Sequence, residues 1–374
     1  MTSASSKSLP LIGILGDGQL SKMSIEAYHK IGGKAYAFGG SDQSPAGLVA
    51  DKFVTGSAES LSDLTEFFKQ VDVVTLENEF IDSNLLIQAS QDSGIKVFPE
   101  PSRYQLIEDK LSEKRFFSES GTQVAKFFEV NEVSDLIDTP GYLKLAKGGY
   151  DGKGTYKVDS LAEAAEVFTK IRSAGAVLFE HALDYAKELS MIAARNSSSI
   201  IFYPLVETHQ EHGTCRYVSL PAGVSDAIEQ QARHDTGQIM QKLDTQGLFA
   251  FEFFLTPSGE LIVNESAPRP HNSGHITMDL MSGDQFENHM RSVADLPLVE
   301  PQMQHASGIM VNLLGTQDGP VNEKAIFDDA GTEDLKVHLY GKTESRVNRK
   351  MGHINLWGDN QWQRAKQLVK TLEV

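Results

Sequence analysis

The sequence predicts an α/β chain of two or three domains, and three features carry that prediction. Short apolar runs alternate with amphipathic stretches over about the first hundred residues. A glycine-rich loop follows an apolar strand near residue 150, and two strands that each carry a glutamate form a hairpin near residue 260. The first pattern is typical of a parallel sheet covered by helices, the glycine-rich loop marks a second, smaller domain, and the hairpin lies in a further stretch that mixes strands with helices.

The N-terminal elements follow from the hydrophobic periodicity. Residues 11–15, 35–38 and 71–76 are the predicted strands, and the predicted helices are residues 19–31, 61–70 and 84–93. Further along, the pattern predicts helices at 104–118, 227–243 and 285–293, and strands at 142–146, 176–180, 200–206, 250–255 and 261–264. Pro99-Glu100-Pro101 separates the first group from the rest and is a natural domain boundary.

The bulk composition excludes several classes of protein. The chain has 374 residues, 40% of them hydrophobic, and a formal net charge of −17. Because the sequence contains no basic run that could follow a phosphate backbone, nucleic acid is excluded as a partner. No apolar segment is long enough for a membrane span, and the single cysteine, Cys215, suits a reducing compartment, so a cytoplasmic protein is expected.

A glycine cluster marks the end of the first strand. Gly13, Gly16 and Gly18 lie where the strand gives way to a helix, so backbone amides at the helix N-terminus are candidates for phosphate binding. A dinucleotide site is disfavoured, because Ser21 stands at the third glycine of that fingerprint and no acidic residue ends the second strand.

A second glycine-rich loop follows the strand 142–146. Its glycines alternate with Lys147, Asp151 and Lys153, so its amides and ammonium groups can close over a polyphosphate. The alternative is a plain surface hairpin. Lys144 lies inside the preceding apolar strand and needs an anionic partner, which a nucleotide phosphate would supply.

Carboxylates follow on three strands. Glu180 and Glu188 fit a nucleotide hinge and a ribose contact, although surface salt bridges would explain them equally well. Glu252 and Glu265 project from apolar strands of the hairpin, where two carboxylates repel each other unless a cation lies between them. Magnesium bound to ATP phosphates is the economical explanation, and Asn264 can supply a further oxygen.

Two polar segments complete the predicted site. Residues 266–275 form a loop with two prolines that is dense in arginine, histidine and amide side chains. Near the C-terminus, Lys342, Arg349 and Lys350 concentrate positive charge in an acidic protein, which indicates a site for a substrate phosphate.

Together these motifs resemble the 5-(carboxyamino)imidazole ribonucleotide synthetases of the ATP-grasp superfamily. The glycine loop and the glutamate pair identify the superfamily, and the string Pro-His-Asn-Ser-Gly-His at 270–275 narrows it to this family. The resemblance implies an N-terminal Rossmann-like, or pre-ATP-grasp, domain at 1–103, a small lid domain at 104–190 and a C-terminal α+β domain at 191–374.

The resemblance also implies roles for individual residues. The implied nucleotide contacts are Lys110, Lys144, Gly149, Gly152, Lys153, Glu180, Glu188 and Asn264, and the implied magnesium ligands are Glu252 and Glu265. The implied substrate contacts are Gly18, Gln19, Leu20, Glu77, Glu79, Tyr150, His271, Asn272, Ser273, Lys342, Arg349 and Lys350. The implied catalytic residues are Asp151, Lys153, Arg269 and His275, and the choice between Asp151 and His275 as proton acceptor stays open. Which of His209 and His212 contacts ATP, if either does, also stays open.

The implied reaction is the carboxylation of aminoimidazole ribonucleotide by bicarbonate through carboxyphosphate. Its cofactors are ATP and two Mg²⁺ ions, with Mn²⁺ able to substitute, and Arg269 would hold bicarbonate in line with the transferred phosphoryl group. A homodimer that passes its product to a separate mutase is expected, with no nucleic acid or membrane partner.

Two alternatives stay open, and the sequence departs from the family pattern at six positions. The departures lie at Asp17, Ser21, Asn78, Phe80, Ile276 and Asp284. One alternative is an ATP-grasp ligase that activates another small carboxylate such as formate. The other is a non-catalytic paralogue that binds nucleotide without turnover.

Overall fold

The computed structural model describes residues 8–147, 154–211, 213–321, 324, 326–327 and 333–371. Three sheets of four or more strands organise the chain, one for each successive part of the sequence. Among the described residues, every helix is too short or too polar to cross a lipid bilayer.

The first part is a parallel sheet in the order β3-β2-β1-β4-β5. Its strands are β1 Ile12–Leu15, β2 Ala35–Gly39, β3 Lys52–Thr55, β4 Val73–Leu76 and β5 Lys96–Phe98. Its helices are α1 Gln19–Lys30, α2 Leu61–Phe68 and α3 Ser83–Ser93. The predicted alternation of strands and helices is confirmed, and the short strands β3 and β5 are additional to it. Ser60 and Asp82 cap α2 and α3 by accepting backbone N–H bonds, and Gly94 ends α3 at a φ of 74°.

The helix predicted at residues 104–118 is wrong in its extent. The structure has a short helix α4 Pro101–Tyr104 and a separate helix α5 Lys110–Glu119. Asp109 accepts the N–H bonds of Leu111 and Ser112, and this side-chain cap starts α5 later than the hydrophobic pattern indicated.

The second part is a four-stranded antiparallel sheet in the order β6-β9-β7-β8. It consists of β6 Phe127–Val130, β7 Gly141–Leu145, β8 Thr155–Val158 and β9 Val177–His181, packed against α6 Leu161–Ile171. Lys144 pairs with Leu178 and Tyr142 with Glu180, so Lys144 and Glu180 lie on one face of this sheet.

The third part is a nine-stranded sheet, which runs β15-β14-β10-β12-β13-β18-β22-β20 with β11 paired to β10. Its strands are β10 Lys187–Arg195, β11 Ile200–Phe202, β12 Val206–Glu211, β13 Thr214–Leu220, β14 Gly247–Leu255, β15 Leu261–Ala267, β18 Gly308–Leu314, β20 Leu335–Leu339 and β22 Lys350–Trp357. Two small pairs join β16 Met281–Ser282 to β17 Gln302–Met303 and β19 Gly319–Pro320 to β21 Glu344–Ser345. The helices here are α7 Asp226–Leu243, α8 Thr277–Leu280, α9 Gln285–Val293 and α10 Gln361–Thr371. The single strand predicted at 200–206 is wrong, because β11 and the start of β12 are separate strands.

Packing bears on where the lid begins and ends. Phe116 and Phe117 of α5 pack with Phe251 and Phe253 of β14, so α5 belongs to the core of the large sheet. The expected boundary at residue 190 falls inside β10, whose nine residues all pair with β14. We therefore propose that the lid spans the four-stranded sheet, from Phe127 to His181.

Candidate active site

A cavity of about 860 Å³ brings most of the predicted site residues together. It lies between the four-stranded sheet, the large sheet and the loop after β15. The predicted residues that line it are Glu79, Lys110, Lys144, Glu180, Glu188, Glu252, Asn264, Glu265, Arg269, His271, Asn272, Ser273 and Lys350. Gly149, Tyr150, Asp151, Gly152, Lys153 and His212 lie outside the described residues, so their assignments stay predictions.

Lysine–glutamate ion pairs line the cavity. Lys110 Nζ lies 2.8 Å from Glu265 Oε2, and Lys144 Nζ lies 2.7 Å from Glu180 Oε1. Lys114 Nζ contacts the second oxygen of Glu180, and these last two side chains are only 3% and 5% exposed. The anionic partner that Lys144 needs is therefore Glu180, within the protein, and not only a nucleotide phosphate.

Charge and burial oppose each other in these ion pairs. Burial alone would raise the pKa of Glu180, but the ammonium groups of Lys114 and Lys144 lower this pKa below its ordinary value. Burial lowers the pKa of Lys144, and Glu180 only partly offsets that effect. An added polyphosphate would supply the negative charge that would favour the protonated form of Lys144.

The predicted carboxylate hairpin is confirmed. Glu252 on β14 lies directly opposite Glu265 on β15, with a register shift immediately after Glu252. Burial and the charge of Glu265 raise the pKa of Glu252, whereas Lys110 lowers the pKa of Glu265. His271 Nε2 lies 3.5 Å from Glu252 Oε1.

The donor set at this hairpin fits magnesium. Within the described residues, no group of three or more His, Cys, Asp or Glu side chains could hold a metal ion. The hairpin presents two carboxylates, Glu252 and Glu265, opposite each other. Mg²⁺ commonly takes one or two protein carboxylates and completes its shell with phosphate oxygens and water. Glu252 and Glu265 would hold it, and Asn264 lines the same cavity.

Arg269 is held by a carboxylate from the first part of the chain. Its Nη2 donates to Glu79 Oε1 at 2.6 Å, and its Nε contacts the other oxygen of Glu79. The Tyr104 hydroxyl donates to the Glu79 carbonyl, which fixes that segment. Arg269 therefore faces the cavity in a set orientation that sequence reasoning did not foresee.

An aromatic side chain orients Glu188. The Tyr185 hydroxyl donates to Glu188 Oε1 at 2.7 Å, and the Tyr185 ring stacks on Phe254 at 4.5 Å between centroids. All three residues line the cavity. A flat apolar wall beside a carboxylate can accept a nucleoside, with the carboxylate available to ribose hydroxyls.

Two predicted histidine sites differ in their surroundings. His271 lines the cavity, its Nδ1 is 2.8 Å from Ser273 Oγ, and burial lowers the pKa of His271 to about 3, so its ring is neutral. His275 is 1% exposed, bonds Gln285 through Nδ1, and its ring lies 4.8 Å from the His353 ring between centroids, tilted by 34°. Since His275 is not among the residues that line the cavity, the structure does not place it beside a reacting group. His209 bonds Ser219 and also lies off the cavity.

The helix N-terminus predicted to bind phosphate contacts a carboxyl side chain of the protein itself. Glu77 accepts the N–H bonds of Gly18 at 2.8 Å and Leu20 at 3.2 Å. A Cβ at Gly16 or Gly18 would lie 2.3 Å from a Glu77 oxygen, so glycine is required for this close approach. The cluster of glycines thus admits a carboxylate to the start of α1. The assignments of Gly18, Gln19, Leu20 and Glu77 to the substrate stay predictions.

The three C-terminal cations lie close to one another. Lys342 Nζ donates to the Lys350 carbonyl at 2.8 Å, and burial, followed by the charge of Arg349, lowers the pKa of Lys342 to about 8. Lys350 lines the main cavity, which joins this basic cluster to the Glu252 and Glu265 hairpin.

Sequence reasoning missed two buried residues of α5. Lys114, described above, lies one helical turn after Lys110, and that spacing was a signal that could have identified it. Glu113 accepts the backbone N–H and the hydroxyl of Ser266, the residue after Glu265, and burial raises the pKa of Glu113 to about 7. It anchors the strand that carries Glu265.

Family models cover most of the chain. The ribonucleotide synthetase preATP-grasp domain matches residues 9–108, the ATP-grasp domain matches residues 115–286, and the phosphoribosylaminoimidazole carboxylase C-terminal domain matches residues 308–367. These matches confirm the fold class that the sequence predicted.

Relatives are similar over nearly the whole chain. It is 33% identical to the phosphoribosylaminoimidazole carboxylase of Ogataea methanolica over 92% of its own length, and it spans 66% of that longer protein. It is 32% identical to the N5-carboxyaminoimidazole ribonucleotide synthase of Synechococcus elongatus over 95% of its length and 92% of the relative's. The crystal structure of N5-carboxyaminoimidazole synthase from Aspergillus clavatus, in complex with ADP and 5-aminoimidazole ribonucleotide, matches with a TM-score of 0.88 and 27% identity, covering 97% of this chain and 98% of that one.

The resemblance inferred from the motifs is therefore confirmed along the full length of the fold. The chain belongs to the ATP-grasp enzymes of the N5-carboxyaminoimidazole ribonucleotide synthase family.

Proposed function

We propose that this chain uses ATP and bicarbonate to carboxylate the exocyclic amine of 5-aminoimidazole ribonucleotide, in the de novo synthesis of purines. One observation carries the proposal: a single cavity joins paired lysines, a carboxylate hairpin and the Arg269 loop. The first two suit a magnesium polyphosphate, and the third suits a small anion beside it.

ATP would be bound between the four-stranded sheet and the large sheet. Lys110 and Lys144 would neutralise its phosphates, and Glu188 would accept a ribose hydroxyl beside the Tyr185 and Phe254 rings. Two Mg²⁺ ions held by Glu252 and Glu265, or Mn²⁺ in their place, would supply charge neutralisation for the transferred phosphoryl group.

The carboxylation itself takes two steps. Bicarbonate oxygen attacks the γ-phosphorus, ADP leaves, and carboxyphosphate forms. The amine then attacks the carboxyl carbon, phosphate leaves, and the amine loses a proton. Arg269 is aimed at the cavity by Glu79 and would hold bicarbonate through its remaining N–H groups. We keep Asp151 as the proposed proton acceptor, because His275 is buried away from the cavity.

The ribonucleotide phosphate would meet the basic cluster of Lys342, Arg349 and Lys350. A dianion needs concentrated positive charge in a chain of net charge −17. We further propose that the enzyme acts as a homodimer and releases its product to a separate mutase.

The test is ADP release by the purified chain with each substrate present or omitted. We expect release to require aminoimidazole ribonucleotide and bicarbonate together, and formate not to replace bicarbonate. Release that depends on formate would contradict the substrate, and nucleotide binding without turnover under every condition would indicate a non-catalytic protein.

The basic cluster predicts a pH dependence. The pKa of Lys342 is lowered to about 8, well below the pKa of an ordinary lysine. This side chain therefore loses its charge as the pH rises through about 8. We expect kcat/KM for the ribonucleotide to fall over that range, since this ratio reports ionisations of the free enzyme. Steady-state rates between pH 7 and 9.5 with saturating ATP measure it.

The matched variant for this prediction is Lys342→Arg, whose charge persists throughout the range. It should abolish the fall near pH 8 while KM for ATP serves as the internal control. An unchanged fall in the arginine variant would assign the ionisation to another group.

A further inference from the structure

A buried asparagine stands directly behind the cavity wall. Asn312 on β18 is 0% exposed. Its Nδ2 donates to the Cys215 carbonyl at 2.9 Å and to Asn272 Oδ1 at 2.7 Å, and its Oδ1 accepts from Asn272 Nδ2 at 2.8 Å. The two amides thus form a closed pair of hydrogen bonds that is tied to the backbone at one corner.

The bond to the Cys215 carbonyl determines the orientation of both amides. A carbonyl oxygen can only accept, so the group of Asn312 beside Cys215 must be its nitrogen. The Asn312 oxygen then faces Asn272, and this arrangement forces the Asn272 nitrogen towards it. The Cys215 carbonyl therefore determines where the oxygen and the nitrogen of the Asn312 amide lie, and through Asn312 it determines the same for Asn272.

The amide of Asn272 belongs to the cavity wall. Asn272 lines the cavity next to His271, and Lys350 lines it as well. An amide has two N–H donors and two acceptor lone pairs, and the pair with Asn312 uses one of each on Asn272. The remaining N–H and the remaining lone pair of Asn272 therefore have fixed places in the wall of the cavity.

We propose that Asn312 is a positioning residue, which holds the amide of Asn272 in the polarity that recognises the ribonucleotide substrate. This inference rests on the proposed function, because it takes the second substrate to be the imidazole ribonucleotide. Asn312 acts only through Asn272, because Asn312 itself is not among the residues that line the cavity.

A double-mutant cycle tests the inference. Asn312→Ala should lower kcat/KM for aminoimidazole ribonucleotide about tenfold, the scale of one hydrogen bond, and leave KM for ATP unchanged. Asn272→Ala should have at least that effect, and the double variant should be no worse than Asn272→Ala alone, because the first change acts through the second. Asn312→Leu, nearly the same shape without either polar group, serves if the alanine variant does not fold.

The matched control is Asn288→Ala. Asn288 is also 0% exposed, and its Nδ2 donates to Tyr203 Oη and to the Gly283 and Val299 carbonyls, away from the cavity. It should lower the melting temperature without changing either kinetic constant of the folded enzyme. If the Asn288 and Asn312 variants behave alike, or if the Asn312 effect adds in full to that of Asn272→Ala, the inference is overturned.

A readout independent of turnover separates this inference from the proposed function. Crystal structures of wild type and Asn312→Ala should show the Asn272 amide rotated or displaced in the variant. An unmoved Asn272 overturns the positioning role even in an active enzyme. A moved Asn272 in a protein that does not carboxylate the ribonucleotide supports the positioning role and rejects only the substrate.

Discussion

Glu265→Gln is expected to lower ATP-dependent turnover by on the order of 10²–10³-fold, the scale of losing one preorganised electrostatic group at a reacting centre. The amide keeps the shape of the side chain and can still accept from Lys110, which lies 2.8 Å away. It removes the negative charge that Glu265 presents opposite Glu252. Turnover measured against Mg²⁺ concentration should show both a lower maximum and a higher metal requirement.

The control for this variant is on the same hairpin. Glu260→Gln changes an exposed glutamate in the turn between β14 and β15, where it accepts from Ser258. It should leave turnover and metal requirement as in wild type, and thermal unfolding should be similar for both variants. Wild-type turnover by the Glu265 variant would remove this carboxylate from the proposed metal site.

Lys144→Met is expected to weaken ATP binding roughly ten- to hundredfold, from the 1.5–3 kcal/mol typical of a hydrogen bond to a charged group. Methionine fills the volume of the lysine stem and removes only the ammonium group. Glu180 keeps Lys114 as its partner, so the variant does not leave this buried carboxylate without a cation. Calorimetric titration with a non-hydrolysable ATP analogue and Mg²⁺ measures the affinity.

Lys157→Met provides the comparison for this change. Lys157 lies on β8 of the same sheet, is 60% exposed and pairs with Asp159 at 3.2 Å. An exposed pair of this kind contributes little to stability, so we expect neither ATP affinity nor unfolding to change. If both lysine variants bind the analogue as wild type does, Lys144 is a structural partner of Glu180 and no ATP contact.

Local sequence patterns determined much of this protein by themselves. The alternation of strands and helices in the first part, the hairpin that opposes Glu252 to Glu265, and the helix at 285–293 were all predictable. Hydrophobic periodicity and turn residues act over a few positions, so a single sequence is enough to show them. Side-chain caps act locally too, but the cap at Asp109, which starts α5, does not show in the hydrophobic periodicity that predicts a helix at 104–118.

Only the tertiary structure decided which groups meet. Arg269 donates to Glu79 at a separation of 190 residues, and Lys144 donates to Glu180. Glu77 accepts a backbone N–H bond at the start of α1, where a phosphate was predicted. These partners are far apart along the chain, whether they share a sheet, as Lys144 and Glu180 do, or lie in different parts of the fold, as Arg269 and Glu79 do. No spacing along the chain indicates them. The same holds for the burial of His275, because a histidine in a polar motif can face a cavity or a core. Burial and charge pairing are properties of the packed chain, and they set the protonation and orientation on which the proposed chemistry depends.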